Sequence, residues 1–190
     1  MFARTQRLLL RPGWAQDAPA LQRGLADEGI VRNLARVPWP YSLDDARAFL
    51  ASERRPGEAS LLIFRRTGAD PELIGSIGFA RGSDGERELG YWIARPHWGR
   101  GYATEAGRAV VDIARNALRL PRLKAGHFMD NPASGRVLHK LGFRPTGRVT
   151  SQFSAGRNAA VPCRLFELGL APAEAESEVE KVPVREMVAA

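Results

Sequence analysis

The chain has 190 residues, 44% hydrophobic and 26% charged, with a formal net charge of +7 and one cysteine, Cys163. This length suits a single domain with its own core. No apolar run approaches the ~20 residues of a membrane span, and a lone cysteine excludes an intrachain disulfide. The apolar centre of the N-terminus, Leu8-Leu9-Leu10, is too short for a signal peptide, so a cytoplasmic location is expected.

Charge is unevenly spread. Residues 171–190 hold five Glu against Lys181 and Arg185, a net −3, which with +7 overall leaves +10 on residues 1–170. A basic body suits a nucleic acid, a ribosome or an anionic cofactor. Arginine far outnumbers lysine, and no run of five or six basic residues or RNA-binding signature occurs. Nucleic acid is therefore not the expected partner.

In chain order, residues 5–11 read as a strand stopped by Pro12-Gly13. Asp17 is placed to cap a helix over 18–28. Val37-Pro38-Trp39-Pro40-Tyr41 is a proline-punctuated loop. Ser42, with Asp45 three residues on, forms a capping box for a second helix with Ala46, Phe49 and Leu50 on one face. It ends at Arg54-Arg55-Pro56-Gly57. Strands are predicted over 59–65, 72–81 and 86–93, separated by turns at Gly68-Ala69-Asp70-Pro71 and Gly82-Ser83-Asp84-Gly85. A long helix over 102–118 carries Val110, Val111, Ala114 and Leu118 on a packed face. A strand over 123–129 follows. Asn131-Pro132-Ala133-Ser134 then opens a helix that closes at Gly142, placed as a left-handed C-cap. Residues 144–153 and 163–170 read as an antiparallel pair around Gly156-Arg157-Asn158. This order predicts a mixed α/β layer fold on a central sheet, in one domain over 1–170. The acidic tail over 171–190 is expected to be flexible.

Between the third of those strands and the long helix lies Trp98-Gly99-Arg100-Gly101-Tyr102-Ala103-Thr104. Glycines let the backbone approach a ligand at positive φ, and the unpaired N–H groups of a helix start attract anions. A phosphate or pyrophosphate is the natural guest. A P-loop needs Gly-Lys-Ser/Thr, which is absent. A dinucleotide fold needs a third glycine, where Thr104 stands.

Trp98-Gly99-Arg100-Gly101-Tyr102-Ala103 resembles the pyrophosphate loop of the GNAT family of N-acetyltransferases, Arg/Gln-x-x-Gly-x-Gly/Ala. Gly101 and Ala103 match its last two fixed positions, and Trp98 replaces the usual Arg or Gln. Asn131-Pro132-Ala133-Ser134-Gly135-Arg136-Val137-Leu138-His139-Lys140-Leu141-Gly142-Phe143 resembles the family's Asn-x-x-Ser-x-x-Val-Leu-x-Lys-Leu-Gly-Phe segment. With Glu88-Leu89-Gly90-Tyr91-Trp92 and Arg7-Leu8-Leu9-Leu10-Arg11, the pattern is similar to the RimJ/RimL-like branch. It runs from about residue 5 to 170.

The resemblance implies the GNAT fold, an α+β arrangement. Its central sheet is mixed, mostly antiparallel and of about seven strands. Helices flank both faces, and the sheet is splayed at the acetyl-CoA site. It also implies direct acetyl transfer from acetyl-CoA to a primary amine in a ternary complex, the acceptor being a protein N-terminus or a small amine. Trp92, Ile93 and Ala94 would meet pantetheine and the thioester carbonyl through backbone groups. Trp98, Gly99, Arg100, Gly101, Tyr102, Ala103 and Thr104 would line the pyrophosphate site, with the N–H groups over 99–104 as donors. Asn131 would bond the pantetheine arm, with Ser134 beside it facing the sulfur. Many relatives carry a tyrosine at the position of Leu138, so the thiol-side role falls to Ser134 or a water.

The chemistry needs a neutral amine, a donor for the oxyanion of the tetrahedral intermediate, and a proton for the thiolate. Glu88 is the first candidate base. Glu86, Tyr91 and Glu105 follow, and positioning alone also supplies rate. Against these roles, Asn131 and Ser134 suit a helix start, and Glu105 suits a helix dipole. His97, His127 and His139 have no ligand spacing, and no metal is expected. Cys163 reads as a small core residue. Trp39 and Tyr41 are placed to line an acceptor pocket. Competing functions are a catalytically silent acyl-CoA sensor and a basic ribosome- or RNA-associated protein, and the chain is expected as a monomer or homodimer.

Overall fold

A computed structural model describes residues 1–53, 55–68, 70–82 and 84–170. The acidic tail expected over 171–190 lies outside them, as do residues 54, 69 and 83 in three of the expected turns.

Eight strands form one sheet: β1 (Ala3–Arg4), β2 (Leu8–Arg11), β3 (Ala59–Arg65), β4 (Glu72–Arg81), β5 (Arg87–Ile93), β6 (Arg122–Phe128), β7 (Arg144–Ser154) and β8 (Ala159–Gly169). Their spatial order is β1-β2-β3-β4-β5-β6-β8-β7. Every pairing is antiparallel except β5 with β6. The expected seven strands become eight because the first, expected over 5–11, starts only at Leu8 and a further short strand precedes it. Residues 5–7 turn, with Thr5 N–H donating to the Leu8 carbonyl at 3.0 Å, so Ala3–Arg4 folds back on β2.

Strand alternation separates two cores. Leu61 and Ile63 of β3 join Leu8, Ile77, Phe79 and Leu89 under α4 (Tyr102–Asp112) and α5 (Pro132–Lys140). Leu62 and Phe64 face the other way. They pack with Leu21, Leu25 and Ala46 of α1 (Ala18–Leu25) and α3 (Leu43–Ala51) and with Ile30 of α2 (Glu28–Val31). Val110 of α4 is fully buried, a position where a valine side chain contributes about 1.5–3 kcal/mol by leaving water.

Local signals hold at two helix ends. Asp45 N–H donates to Ser42 Oγ while Ser42 N–H donates to Asp45 Oδ2, the expected capping box. Gly142, at φ 88°, ends α5, with Gly142 N–H on the His139 carbonyl and Phe143 N–H on the Leu138 carbonyl. These are the two bonds of a Schellman motif. The predicted helix over 102–118 is α4 followed by a π turn at Ile113–Ala117. Asp17 departs from expectation. A 3-10 turn, Ala15–Asp17, precedes α1, and the Asp17 carboxylate accepts from Trp14 N–H and pairs with Arg11 instead of capping the helix. The expected helix over 18–28 stops at Leu25, and α2 starts anew with Asp27 accepting from Gly29 N–H.

Candidate active site

β5 and β6 run parallel but pair only at Glu88 with Lys124 and Leu89 with Ala125. Beyond Leu89 they diverge. A cleft of about 620 Å³ opens through the sheet there, reaching from α1 and α3 on one face to α4 and α5 on the other. The register decides which backbone groups face it. Ala94 N–H donates to the Ile74 carbonyl at 2.8 Å. By ladder alternation the main-chain groups of Trp92 and Gly90 therefore point to β4, and those of Tyr91 and Ile93 point into the gap. This corrects the expectation that Trp92 and Ala94 offer backbone groups to a ligand in the gap. Of the expected trio only Ile93 does, and its carbonyl already accepts from Trp98 Nε1 at 2.6 Å.

The glycine loop follows a 3-10 turn, Arg95–His97. Gly99 sits at φ 73° and Gly101 at φ 79°, conformations that a side chain disfavours. Gly101 is the N-cap of α4, so the first N–H groups of that helix have no intrahelical acceptor. Both glycines, with Trp98, Tyr102, Ala103 and Thr104, line the cleft. Arg100 is exposed, and its carbonyl accepts from Arg7 Nη1 at 3.1 Å. Glu105 locks the loop to the N-terminal turn. It accepts from Thr5 Oγ1 at 2.6 Å, Arg7 N–H at 2.9 Å and Arg7 Nε at 2.7 Å.

At the head of α5, Asn131 Oδ1 accepts from Ser134 N–H at 3.3 Å. Ser134 Oγ lies 2.8 Å from the Tyr91 hydroxyl, which also donates to the Ser134 carbonyl at 3.0 Å. Tyr91, Asn131 and Ser134 all line the cleft. Leu138, at the position where many relatives carry a tyrosine, is 1% exposed and belongs to the core.

Residues 7–144 match the Acetyltransferase (GNAT) domain family. The chain belongs to the GNAT acetyltransferase family. It is 36% identical to the uncharacterized N-acetyltransferase YoaA of Bacillus subtilis (strain 168), over 75% of this chain and 82% of that one. Its fold is that of a GNAT-family acetyltransferase from Bacillus anthracis, with TM-score 0.75, 22% identity and 89% and 98% of the two chains covered. It also matches the spermidine N-acetyltransferase from Vibrio cholerae, solved with CoA and spermine, with TM-score 0.72, 18% identity and 87% and 97% coverage. The enzyme is thus an N-acetyltransferase, and acetyl-CoA is its acyl donor. The open glycine loop at a helix start that lines the cleft fits such a cofactor: a Cβ added at Gly99 would meet nothing within 4 Å.

In this GNAT chain the candidate carboxylates have different surroundings. Glu88 shares a strand face with Trp92, which packs in the α1–α3 core. Glu88 lines the cleft, and burial pushes its carboxyl above the usual range, opposed by the charges of Arg36 and Lys124. Glu86 points to the surface and holds Arg122 in a two-pronged pair at 2.7–2.8 Å, which lowers its pKa. Burial also acts to raise Glu105, but the bonds from Thr5 and Arg7 outweigh it and leave the carboxyl below its ordinary value. Burial pushes the Tyr91 hydroxyl up to about 12. Glu86, Glu105 and Tyr91 are therefore poor bases near neutrality.

On the α1–α3 side Tyr41 lines the cleft, whereas Trp39 is 40% exposed and does not. The motifs did not point to Arg36 or Gln152, which line the cleft together with His97 and Cys163. Sheet register places Gln152 and Cys163 on the same face as Glu88. The β7–β8 tip holds the Arg36 loop, with Ala155 N–H on the Ala35 carbonyl and Ser154 Oγ on the Leu34 carbonyl. Cys163 is 2% exposed with its thiol pushed up to about 11 by burial and by Glu88, which marks a core thiol and not a nucleophile. Among the described residues no group of His, Cys, Asp and Glu is placed to hold a metal ion, and no helix is long and apolar enough to cross a membrane.

Proposed function

We propose that the enzyme acetylates a primary amine by direct transfer in a ternary complex, with Glu88 as base and the Ser134–Tyr91 hydroxyl pair on the thiol side. The observation that carries this reading is the cleft itself. It joins a candidate base on one face of the sheet to a hydroxyl pair on the other, through the gap beyond Leu89.

Acetyl-CoA supplies the acyl carbon: the amine nitrogen forms the amide bond, the carbon–sulfur bond breaks, and CoA leaves as its thiol with one proton released overall. The helix-start N–H groups over 99–104 hold the pyrophosphate. Asn131 supports the pantetheine side, and the Ile93 N–H, which faces the gap, donates to the acyl oxygen. Glu88, its carboxyl pushed by burial above the ordinary carboxylate value, takes the proton that an arriving ammonium must lose. Tyr91 keeps its own proton at neutral pH. That proton goes to the Ser134 carbonyl, while the tyrosine oxygen lies 2.8 Å from Ser134 Oγ, and the serine hydroxyl turns its own proton to the sulfur when the thioester is bound.

The motifs in Glu88-Leu89-Gly90-Tyr91-Trp92 and Asn131 to Phe143 favour the RimJ/RimL-like branch, whose acceptors include protein N-termini. We also place the whole activity in one domain over 1–170, acting as a monomer or homodimer in the cytoplasm. Incubating the protein with acetyl-CoA and a panel of primary amines tests the reading. Free thiol and acetylated amine should appear together in equal amounts. Stabilisation by acetyl-CoA with no acetylated product from any amine would instead favour an acyl-CoA sensor.

A further inference from the structure

We propose that the acceptor carries one amine on an apolar body together with a carboxylate, as an apolar α-amino acid does, and that Arg36 receives the carboxylate. This rests on the acetyl-transfer reading above and names its acceptor class.

The α1–α3 compartment of the cleft is walled by Leu21, Leu25, Ile30, Tyr41, Phe49 and Trp92. An apolar body of a few carbons is what such a wall rewards. Charged lining residues on this side are two and opposite, Glu88 and Arg36. Arg136 and Lys140 belong to α5, across the sheet, and His97 belongs to the loop before α4. The Arg36 charge acts on Glu88, opposing the rise that burial causes in its carboxyl. Glu88 is the sole carboxylate in the lining among the described residues. A polycation would therefore find one anion and be repelled by Arg36. A zwitterion finds both partners, its ammonium beside Glu88 and its carboxylate beside Arg36.

Arg36 is also held and unspent. Its loop is tied down at the Leu34 and Ala35 carbonyls by the β7–β8 tip, and at the Arg32 carbonyl by Arg157 Nε at 2.6 Å. Yet among the described residues the Arg36 guanidinium makes no hydrogen bond and no close ion pair, unlike Arg32 or Arg157 of the same cluster, which share Asp130. A guanidinium presents a planar fork of donors that matches a carboxylate two-pronged. An unpaired fork on a held loop, exposed to solvent where it lines the apolar compartment, suits a carboxylate arriving from outside.

The test compares phenylalanine with phenylalanine amide, a phenylalanine-initiated peptide, phenethylamine and spermidine as acceptors with acetyl-CoA. The expected kcat/KM for phenylalanine exceeds that of every carboxylate-free amine by at least about tenfold, the scale of a charge-assisted pair. Arg36→Ala should collapse that ratio toward one, Arg36→Lys should retain part of it, and Arg36→Glu should reverse it. Calorimetry gives a readout free of turnover. With CoA present, N-acetylphenylalanine should bind the wild type and bind Arg36→Ala at least about tenfold more weakly. Equal or better use of spermidine, the amide or the peptide overturns the proposal, as does a ratio unmoved by Arg36→Ala. Failure of every acceptor while acetyl-CoA still raises the melting temperature overturns this acceptor class and leaves the cofactor assignment standing. Failure of acetyl-CoA to stabilise the protein overturns both.

Discussion

Glu88 and Tyr91 leave β5 on opposite faces, and burial raises the pKa of each. For Glu88 the shift has two consequences. As a base it must be ionised, so kcat/KM should rise with pH through a pKa above the ordinary carboxylate value of 4.5. For stability the sign is opposite. Below 4.5 both folded and unfolded chains hold the proton, and burial costs nothing. As pH rises the unfolded chain releases its proton first, so stability falls until the folded pKa is passed. Glu88→Gln should therefore lower kcat/KM by about 10²-fold or more while raising Tm at pH 7, with the Tm gain vanishing near pH 4. A variant that loses both activity and stability at pH 7 would make Glu88 a structural residue. On the other face, Ser134→Ala should lower kcat by roughly 10–100-fold with acetyl-CoA affinity nearly unchanged, and Tyr91→Phe should lower it less. Steady-state kinetics beside calorimetric Kd values separate these outcomes. The residue types of this pair were legible, because Asn131 to Ser134 is a local helix start. Their contact was not: Tyr91 and Ser134 stand 43 positions apart, and only the pairing of sheet and α5 brings them together.

At the scale of elements, the same contrast separates the glycine loop from the acceptor wall. Two glycines before a helix announce positive φ and free N–H groups from sequence alone, and Gly99, Gly101 and α4 take those forms. The direction of the backbone groups at Trp92, Ile93 and Ala94 was not legible, because it depends on register with β4. The Arg36 loop was missed for a related reason. It has no regular structure of its own and takes its place from the β7–β8 tip, whose Gly156 packs so closely that an added Cβ would lie 2.5 Å from Val31 Cγ1. Gly156→Leu should push the tip off this loop. The expected result is an acceptor KM raised about tenfold or more, with acetyl-CoA Kd within about twofold, since the loop contacts lie on the acceptor side. Equal losses for both ligands would mean that the hairpin supports the whole sheet instead of the acceptor wall.

For the molecule as a whole, the fold class was legible because strand–helix order and two motifs agreed. The family match over residues 7–144 contains both motifs. The two-face cleft was not legible, since it arises from closure of distant segments, and neither was the eighth strand, which a turn without Gly or Pro at residues 5–7 folds back on β2. One sheet parts between β5 and β6, and the cleft there is lined from both of its faces. The central claim is that the loop over 99–104 grips acetyl-CoA through its backbone. A thermal titration with acetyl-CoA tests this most directly, using the wild type and Gly101→Val. A side chain at φ 79° costs about 1–2 kcal/mol by itself, so the readout is the ligand-induced shift within each protein. At a hundredfold excess over Kd the wild type should gain about 2.7 kcal/mol, roughly 5–10 °C for a domain of this size. Gly101→Val should show almost no shift. An equal shift in both proteins would contradict the assignment of this loop.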